Sequence, residues 1–280
     1  MAFSGKRVGF IGSGVMAEAM IKGLIDRDLL EPEQVIAADP REDRGRELVS
    51  RYGLRFTTDN AETAAGSDVL VISTKPQVVG QVFESLNGAG SKPTLVLSIL
   101  AGVRVKTLTN GLGNPNVVRA MPNTPAQIGE GITVWTATKF VSESGREQAR
   151  ALLGALGDEL YMDDEKYLDM TTALSGTGPA YVFLFMEALI DAGVHLGFSR
   201  RDAERLVLKT VRGSVDYAMQ SGNHQAVLRN QVTSPGGTSA EAIYQMEKGG
   251  LRTVISKAVY AAYQRSVALG KEQEKKDEDQ

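Results

Sequence analysis

Three clusters in this chain combine residue types and spacing that could do chemistry. The first is Gly12-Ser13-Gly14-Val15-Met16-Ala17, which follows the apolar run Arg7–Ile11 and opens a helix-like pattern. In that order Gly12 permits a tight turn and Gly14 lets the backbone approach a pyrophosphate. Ala17 is small enough for the helix to pack closely on its strand. The unpaired N–H groups of the helix start, with the dipole behind them, would hold the phosphates. The second cluster begins at Asp39, which ends the apolar run Val35-Ile36-Ala37-Ala38 and could accept hydrogen bonds from a ribose. The third is Val232-Thr233-Ser234-Pro235-Gly236-Gly237-Thr238-Ser239-Ala240-Glu241. A Pro-Gly-Gly turn there feeds a helix whose first residues carry two hydroxyls. Its free N–H groups suit a small carboxylate; from these residues alone, an ordinary helix capped by Thr238 or Ser239 is the favoured reading. Two anion-ready helix starts in one chain point to a dinucleotide at one and a small acid at the other.

The elements that must position these clusters follow from hydrophobic periodicity. Strands are expected at Arg7–Ile11, Val35–Ala38, Val69–Ser73, Leu95–Ile99, Val117–Met121, Ile132–Thr136 and Glu159–Met162. Helical patterns lie between most of them, at Met16–Asp26, Arg41–Tyr52, Asn60–Ala65, Val78–Asn87 and Ser142–Gly154. This alternation is that of an α/β domain with a parallel sheet and helices on both faces. Ligands of such sheets bind beyond the carboxyl ends of the strands. The loops to search are therefore Gly12–Met16, Asp39–Arg41, Ser73–Gln77, Ile99–Gly102 and Arg119–Thr124. Lys75 could bring its ammonium to a ribose or nicotinamide, or be a solvated lysine.

After Met162 the alternation stops and the chain reads as helices. This divides it into a dinucleotide-binding domain of residues 1–164 and a helical domain of residues 165–270. The mixed-charge run Lys271–Gln280, without apolar content, reads as a disordered tail beyond a helix that Gly270 could end. Pro179 suits the first turn of a helix running to about Leu196. Its first two turns are apolar on nearly every side and need protein around them, more than a domain of this size supplies; a subunit interface is expected. Ser199 with Asp202 resembles a capping box.

Composition narrows the function classes. The absence of cysteine excludes disulfides, thiolate metal sites and cysteine nucleophiles, and fits a reducing compartment. A net charge of −3 gives no electrostatic reason to expect nucleic acid or an anionic membrane. The first strand starts almost at once, leaving no room for a secretory signal, and no apolar run approaches the length of a membrane span. A cytoplasmic protein is the expectation.

At Val232–Glu247 the sequence resembles the pyrroline-5-carboxylate reductases, the last enzymes of proline biosynthesis. Leu174-Ser175-Gly176-Thr177-Gly178-Pro179-Ala180-Tyr181 and Met121-Pro122-Asn123-Thr124-Pro125 also match that family, and the likeness covers almost the whole chain. The resemblance implies a Rossmann-type domain followed by an all-helical dimerisation domain, with larger rings in some members. It implies that Ile11, Gly12, Ser13, Gly14, Val15 and Met16 wrap a pyrophosphate and that Asn60 sits by the adenosine ribose. Ser73, Thr74, Lys75 and Pro76, then Ile99, Leu100 and Ala101, would line the cofactor further along, and Gln231 would reach the nicotinamide half. Gly236, Gly237, Thr238 and Ser239 would hold the substrate, with Glu165 at its pocket. Ser239 stands where the family has threonine, which keeps the hydroxyl and loses the methyl that stiffens its rotamer.

The reaction so implied is hydride transfer from a nicotinamide to the carbon of a cyclic imine, 1-pyrroline-5-carboxylate, giving L-proline. A protonated imine is already electrophilic, so orientation does most of the work. The hydroxyl of Ser239 or Thr238 would hydrogen-bond the ring nitrogen, and Glu165 would relay protons or polarise the pocket. For the cofactor, Asp39 taken simply favours NADH. Arg41 and Arg44 could bind a 2′-phosphate, and the family's habit leans to NADPH, with NADH possible. The rival readings are a related imine or 3-hydroxyacid reductase and a non-catalytic dinucleotide-binding protein. The first lacks an acid/base near Ser175–Tyr181; the second gives no role to Pro235–Ser239. No metal, nucleic acid or membrane partner is called for.

Overall fold

The structure is a computed structural model that describes residues 2–278. Its first unit is built on an eight-stranded sheet, β1 (Val8–Ile11), β2 (Val35–Ala38), β3 (Arg55–Thr57), β4 (Val69–Ile72), β5 (Leu95–Ser98), β6 (Val117–Met121), β7 (Gly131–Ala137) and β8 (Gly157–Tyr161), in the order β3-β2-β1-β4-β5-β6-β7-β8. The central strands β1, β2, β4 and β5 are buried at every position. Covered on both faces, they read as unbroken apolar runs rather than alternating ones. Between strands lie α1 (Val15–Asp26), α2 (Glu42–Tyr52), α3 (Asn60–Ala65), α4 (Val79–Ser85), α5 (Val105–Leu112) and α6 (Glu143–Gly154). One apolar core gathers Phe10, Met20, Leu24, Leu97 and Trp135; a second gathers Leu70, Ile72, Val82, Leu100 and Leu108.

The parallel sheet was expected, with one exception: β6 and β7 run antiparallel. Two elements were not foreseen. β3 is a three-residue edge strand, too short to show alternation. Val105–Leu112 carries Thr and Asn where a helix-former pattern would stand out, and it is nonetheless helical.

α7 (Lys166–Thr171) follows the sheet, and a π-helical turn at Thr172–Gly176 leads to α8 (Gly178–His195). α9 (Arg200–Ser221), α10 (Gln225–Gln231), α11 (Thr238–Lys248) and α12 (Leu251–Glu278) complete the chain. Ser199 caps α9, its Oγ accepting from the Asp202 N–H at 3.1 Å. The helices begin where the sequence pattern changes, but compactness divides the chain later: one unit is Met1–Thr177 with Ala262–Gln280, the other Gly178–Ala261.

Three expectations are corrected. Gly270 does not end the last helix, which continues to Glu278; the Lys, Glu and Gln residues beyond it are strong helix formers, and one glycine costs only about 1 kcal/mol. Residues 279–280 of the expected tail lie outside the described residues. Neither Thr238 nor Ser239 caps α11; the cap is Gly237. Finally, the helical run Lys166–His195 is long and apolar enough, by length and composition only, to cross a membrane. Its apolar side chains include Phe183, Leu184 and Phe185, all exposed on the single chain. This is the helix expected to need a subunit over it.

Candidate cofactor cleft and substrate-binding helix start

Backbone hydrogen bonds bring the first cluster to the carboxyl ends of β1, β2 and β4. The Gly12 N–H donates to the Ala38 carbonyl at 2.9 Å, and the Ser73 N–H donates to the Ile11 carbonyl at 2.9 Å. The Ser73 hydroxyl donates to the Gly12 carbonyl at 2.7 Å. Gly12 has φ +87°, and a Cβ there would lie 2.8 Å from the Thr74 backbone nitrogen, so only glycine fits. Ser13 is fully buried; its hydroxyl donates to the Ala38 carbonyl at 3.1 Å and is spent on the turn.

Gly14 is the N-cap of α1 and supplies no side-chain cap, so the first-turn N–H groups are left for another acceptor. A Cβ on Gly14 would meet no atom within 4 Å, which leaves open space in front of those donors. The cleft there has a volume of about 660 Å³ and is lined by Gly12, Gly14, Asp39, Arg41, Asn60, Ser73, Thr74 and Lys75, among others. The Thr74 hydroxyl is buried without a hydrogen-bond partner. Uncapped N–H groups, open space at Gly14 and an orphaned hydroxyl together fit a dinucleotide's pyrophosphate.

Asp39 is buried at the end of β2, and donors occupy both of its oxygens. Oδ1 accepts from the Arg41 N–H at 3.1 Å and from Arg41 Nε at 2.9 Å. Oδ2 accepts from the Ser13 N–H at 3.1 Å and from Arg41 Nη2 at 3.3 Å. Burial opposes the charge, but these hydrogen bonds outweigh it and hold the carboxyl below its ordinary value. Arg44 is committed elsewhere: it donates to the Ser13 carbonyl at 2.8 Å, to Glu47 at 2.6 Å and to Glu18. Its side chain is largely buried in these contacts, so of the two arginines considered for a 2′-phosphate, Arg41 alone is available.

Asn60 starts α3 and donates to the Ser85 hydroxyl at 2.8 Å across the cleft rim. Val15 is exposed, whereas Met16 packs against the core. Ile11 and Leu100 are core residues, so what they offer a ligand is backbone. Lys75 is exposed and precedes Pro76 at a short 3-10 turn. Ile99 and Ala101 flank Leu100 in the loop after β5, and the Ile99 N–H donates to the Ile72 carbonyl at 3.1 Å.

In the helical unit, Gly236 has φ +70° and Gly237 caps α11 without a side chain. The first-turn N–H groups of α11 thus have no side-chain cap, the same condition found at α1. Thr238 is exposed and Ser239 partly buried; Gln231 ends α10 and is exposed. Glu165 precedes α7, where its Oε1 accepts from the Val105 N–H and from Arg119 Nη1, each at 2.7 Å. Among the described residues no cluster of His, Asp and Glu could hold a metal.

Residues 165–269 match the family model described as pyrroline-5-carboxylate reductase dimerisation, and residues 7–102 match the one described as NADP oxidoreductase, coenzyme F420-dependent. A pyrroline-5-carboxylate reductase of Synechocystis is 42% identical over 95% of this chain and 98% of its own length. This chain belongs to the pyrroline-5-carboxylate reductase family. An Arabidopsis thaliana pyrroline-5-carboxylate reductase is 37% identical over 94% of the chain and 95% of its own length. Among solved structures, a Coxiella burnetii pyrroline-5-carboxylate reductase superposes with a TM-score of 0.87 at 35% identity, covering 94% of this chain and 98% of the other. A Plasmodium falciparum pyrroline carboxylate reductase with NADP bound does so with 0.86 at 32%, covering 96% and 99%.

For a pyrroline-5-carboxylate reductase, the sequence left part of the cleft unread. Thr58, Val78, Gln81 and Ser85 also line it. Gln81 and Ser85 are four apart on α4 and share its face turned to the cleft, and Val78 precedes that helix as its N-cap. That spacing was legible, but nothing in the residue types marked the face as functional.

Proposed function

We propose that this chain carries out the reduction its family is named for, taking 1-pyrroline-5-carboxylate to L-proline, and prefers NADPH to NADH. The observation that carries the reading is the pair of helix starts, at Gly14 and Gly237, that lack side-chain caps. One suits a pyrophosphate and the other a substrate carboxylate. The bound nicotinamide supplies the hydride that the imine carbon receives. The first-turn N–H groups of α11 hold the substrate carboxylate, and the Ser239 or Thr238 hydroxyl hydrogen-bonds the ring nitrogen. Fixing the ring in this way is the protein's main contribution, because a protonated imine needs little further activation.

Preference for NADPH rests on Arg41. Asp39 already has donors on both oxygens, so it offers little to a ribose diol while Arg41 covers it. The Arg41 side chain is 60% exposed at the cleft and can turn its guanidinium toward a 2′-phosphate. The helical domain forms dimers, with α8 in the interface, and the enzyme works in the cytoplasm.

The test is loss of nicotinamide absorbance with purified protein, the imine and each cofactor. Oxidation that requires both protein and imine, faster with NADPH, is the expected result. Cofactor binding without turnover would refute the reading. In the Ser239→Ala variant turnover falls while cofactor affinity stays within about twofold; unchanged kinetics would remove Ser239 from the mechanism.

A further inference from the structure

Glu165, expected at the substrate pocket, belongs to a polar network inside the first unit, whose other side chains, Arg119, Asp169 and Ser266, are buried. Arg119, on β6, has a side chain only 3% exposed. It donates to Glu165 at 2.7 Å and lies 3.8 Å from Asp169 of α7. Asp169 in turn accepts from the Ser266 hydroxyl of α12 at 2.9 Å. Glu165 closes the network at its other end: the same Oε1 that takes Arg119 also takes the N–H of Val105, the first residue of α5. The N-cap of α5, Arg104, provides no side-chain cap, so Glu165 does this from 60 residues away.

The segment held in this way is the loop from Ile99 to Arg104. It leaves β5 next to Ser73, with the Ile99 N–H on the Ile72 carbonyl. On its far side it meets α12: a Cβ on Gly102 would be 3.4 Å from Leu269 Cβ, and one on Gly270 would be 3.4 Å from the Gly102 carbonyl oxygen. The loop is thus fixed at its start by the sheet, at its middle by α12 and at its end by Glu165. Both donors fall on one oxygen, Oε1, which ties the carboxylate to the loop and to Arg119.

We propose that Glu165 is a positioning residue, which with Arg119 sets the Ile99–Arg104 loop beside the Ile72–Ser73 end of the cofactor cleft, and that it takes no part in proton transfer. The proposal rests on the cofactor reading above. Its readouts are therefore cofactor affinity, measured by direct titration with NADPH, and the pH dependence of kcat.

Glu165→Gln keeps a carbonyl oxygen for both donors, whereas Glu165→Ala removes it. We expect Glu165→Ala to weaken NADPH binding by about tenfold, the loss of two part-buried hydrogen bonds. Glu165→Gln binds NADPH within about threefold of the parent, and its pH profile keeps both limbs. Loss of a limb in Glu165→Gln, or NADPH binding by Glu165→Ala as tight as the parent's, overturns the proposal. If Glu165→Ala fails to fold, the pH profile of Glu165→Gln decides. If the parent binds NADPH but does not reduce the imine, the function reading fails and the titrations still test the positioning role.

Discussion

Replacing Arg41 with Met tests the cofactor assignment through two opposed effects. In the parent, Arg41 lies over Asp39 with contacts at 2.9 and 3.3 Å, and its own N–H adds a third at 3.1 Å. Met removes the two side-chain contacts and leaves the backbone one. NADPH then loses a charge-assisted partner for its 2′-phosphate, worth about 1.5–3 kcal/mol when dry. The Arg41 side chain is 60% exposed, so solvent screening puts the loss at the low end, about tenfold in KM. NADH gains, because Asp39 Oδ1 and Oδ2 each recover room for a ribose hydroxyl. The ratio of kcat/KM for NADPH over NADH should fall by about 10- to 100-fold. The assay is initial rates with each cofactor at one ionic strength, since exposed charges respond to salt. A ratio within twofold of the parent's would refute the reasoning. A rise in both KM values together would show that Arg41 only shapes the loop.

Four further outcomes follow from the same geometry. Gly14→Ala should melt within a degree or two of the parent yet raise the KM of either cofactor, because its methyl meets no protein atom and enters the pyrophosphate space; Gly12→Ala should lose about 1–3 kcal/mol in urea melts, from a clash with Thr74 and a positive φ. Glu18 is desolvated, but hydrogen bonds from Arg44 and Tyr52 outweigh this and lower its pKa, as the donors on Asp39 do there; each group stabilises the fold above its unfolded value near pH 4 and loses that contribution as pH falls toward its lowered folded value. Urea midpoints from pH 7 to 3 should therefore drop on the acid side, less steeply in Glu18→Gln, which also costs about 1–3 kcal/mol at pH 7. Leu184→Glu, at a position 68% exposed on α8, should shift the protein to monomer in sedimentation while leaving NADPH affinity unchanged.

Much of the cleft was legible because its residues lie close together in sequence. Gly12, Gly14 and Asp39 sit at strand ends, and apolar runs mark strands buried on both faces. The sense of β7 was not legible, since hydrophobic pattern carries no direction. Nor were the contacts of Glu165, whose partners Arg119 and Val105 are 46 and 60 residues away. The two hydroxyls at the start of α11 suggested a cap, yet the chain uses Gly237 and leaves them free of that duty. Arg44 looked like a second phosphate ligand because only its charge shows in the sequence; Glu18, which holds it, lies on another helix.

The last helix sets an order of events during synthesis. α12 spans 28 residues, about 42 Å, and its residues from Ala262 onward belong to the first unit. Ser266, the hydroxyl that meets Asp169, comes 97 residues after it. At about 5–20 residues per second, the ribosome takes roughly 5–20 s to make that stretch. During this interval the nascent sheet domain has its strands but lacks the helix that backs Gly102 and Asp169. Its final contacts therefore wait for nearly the whole polypeptide, and the helix that completes the nucleotide-binding half is the last to be made.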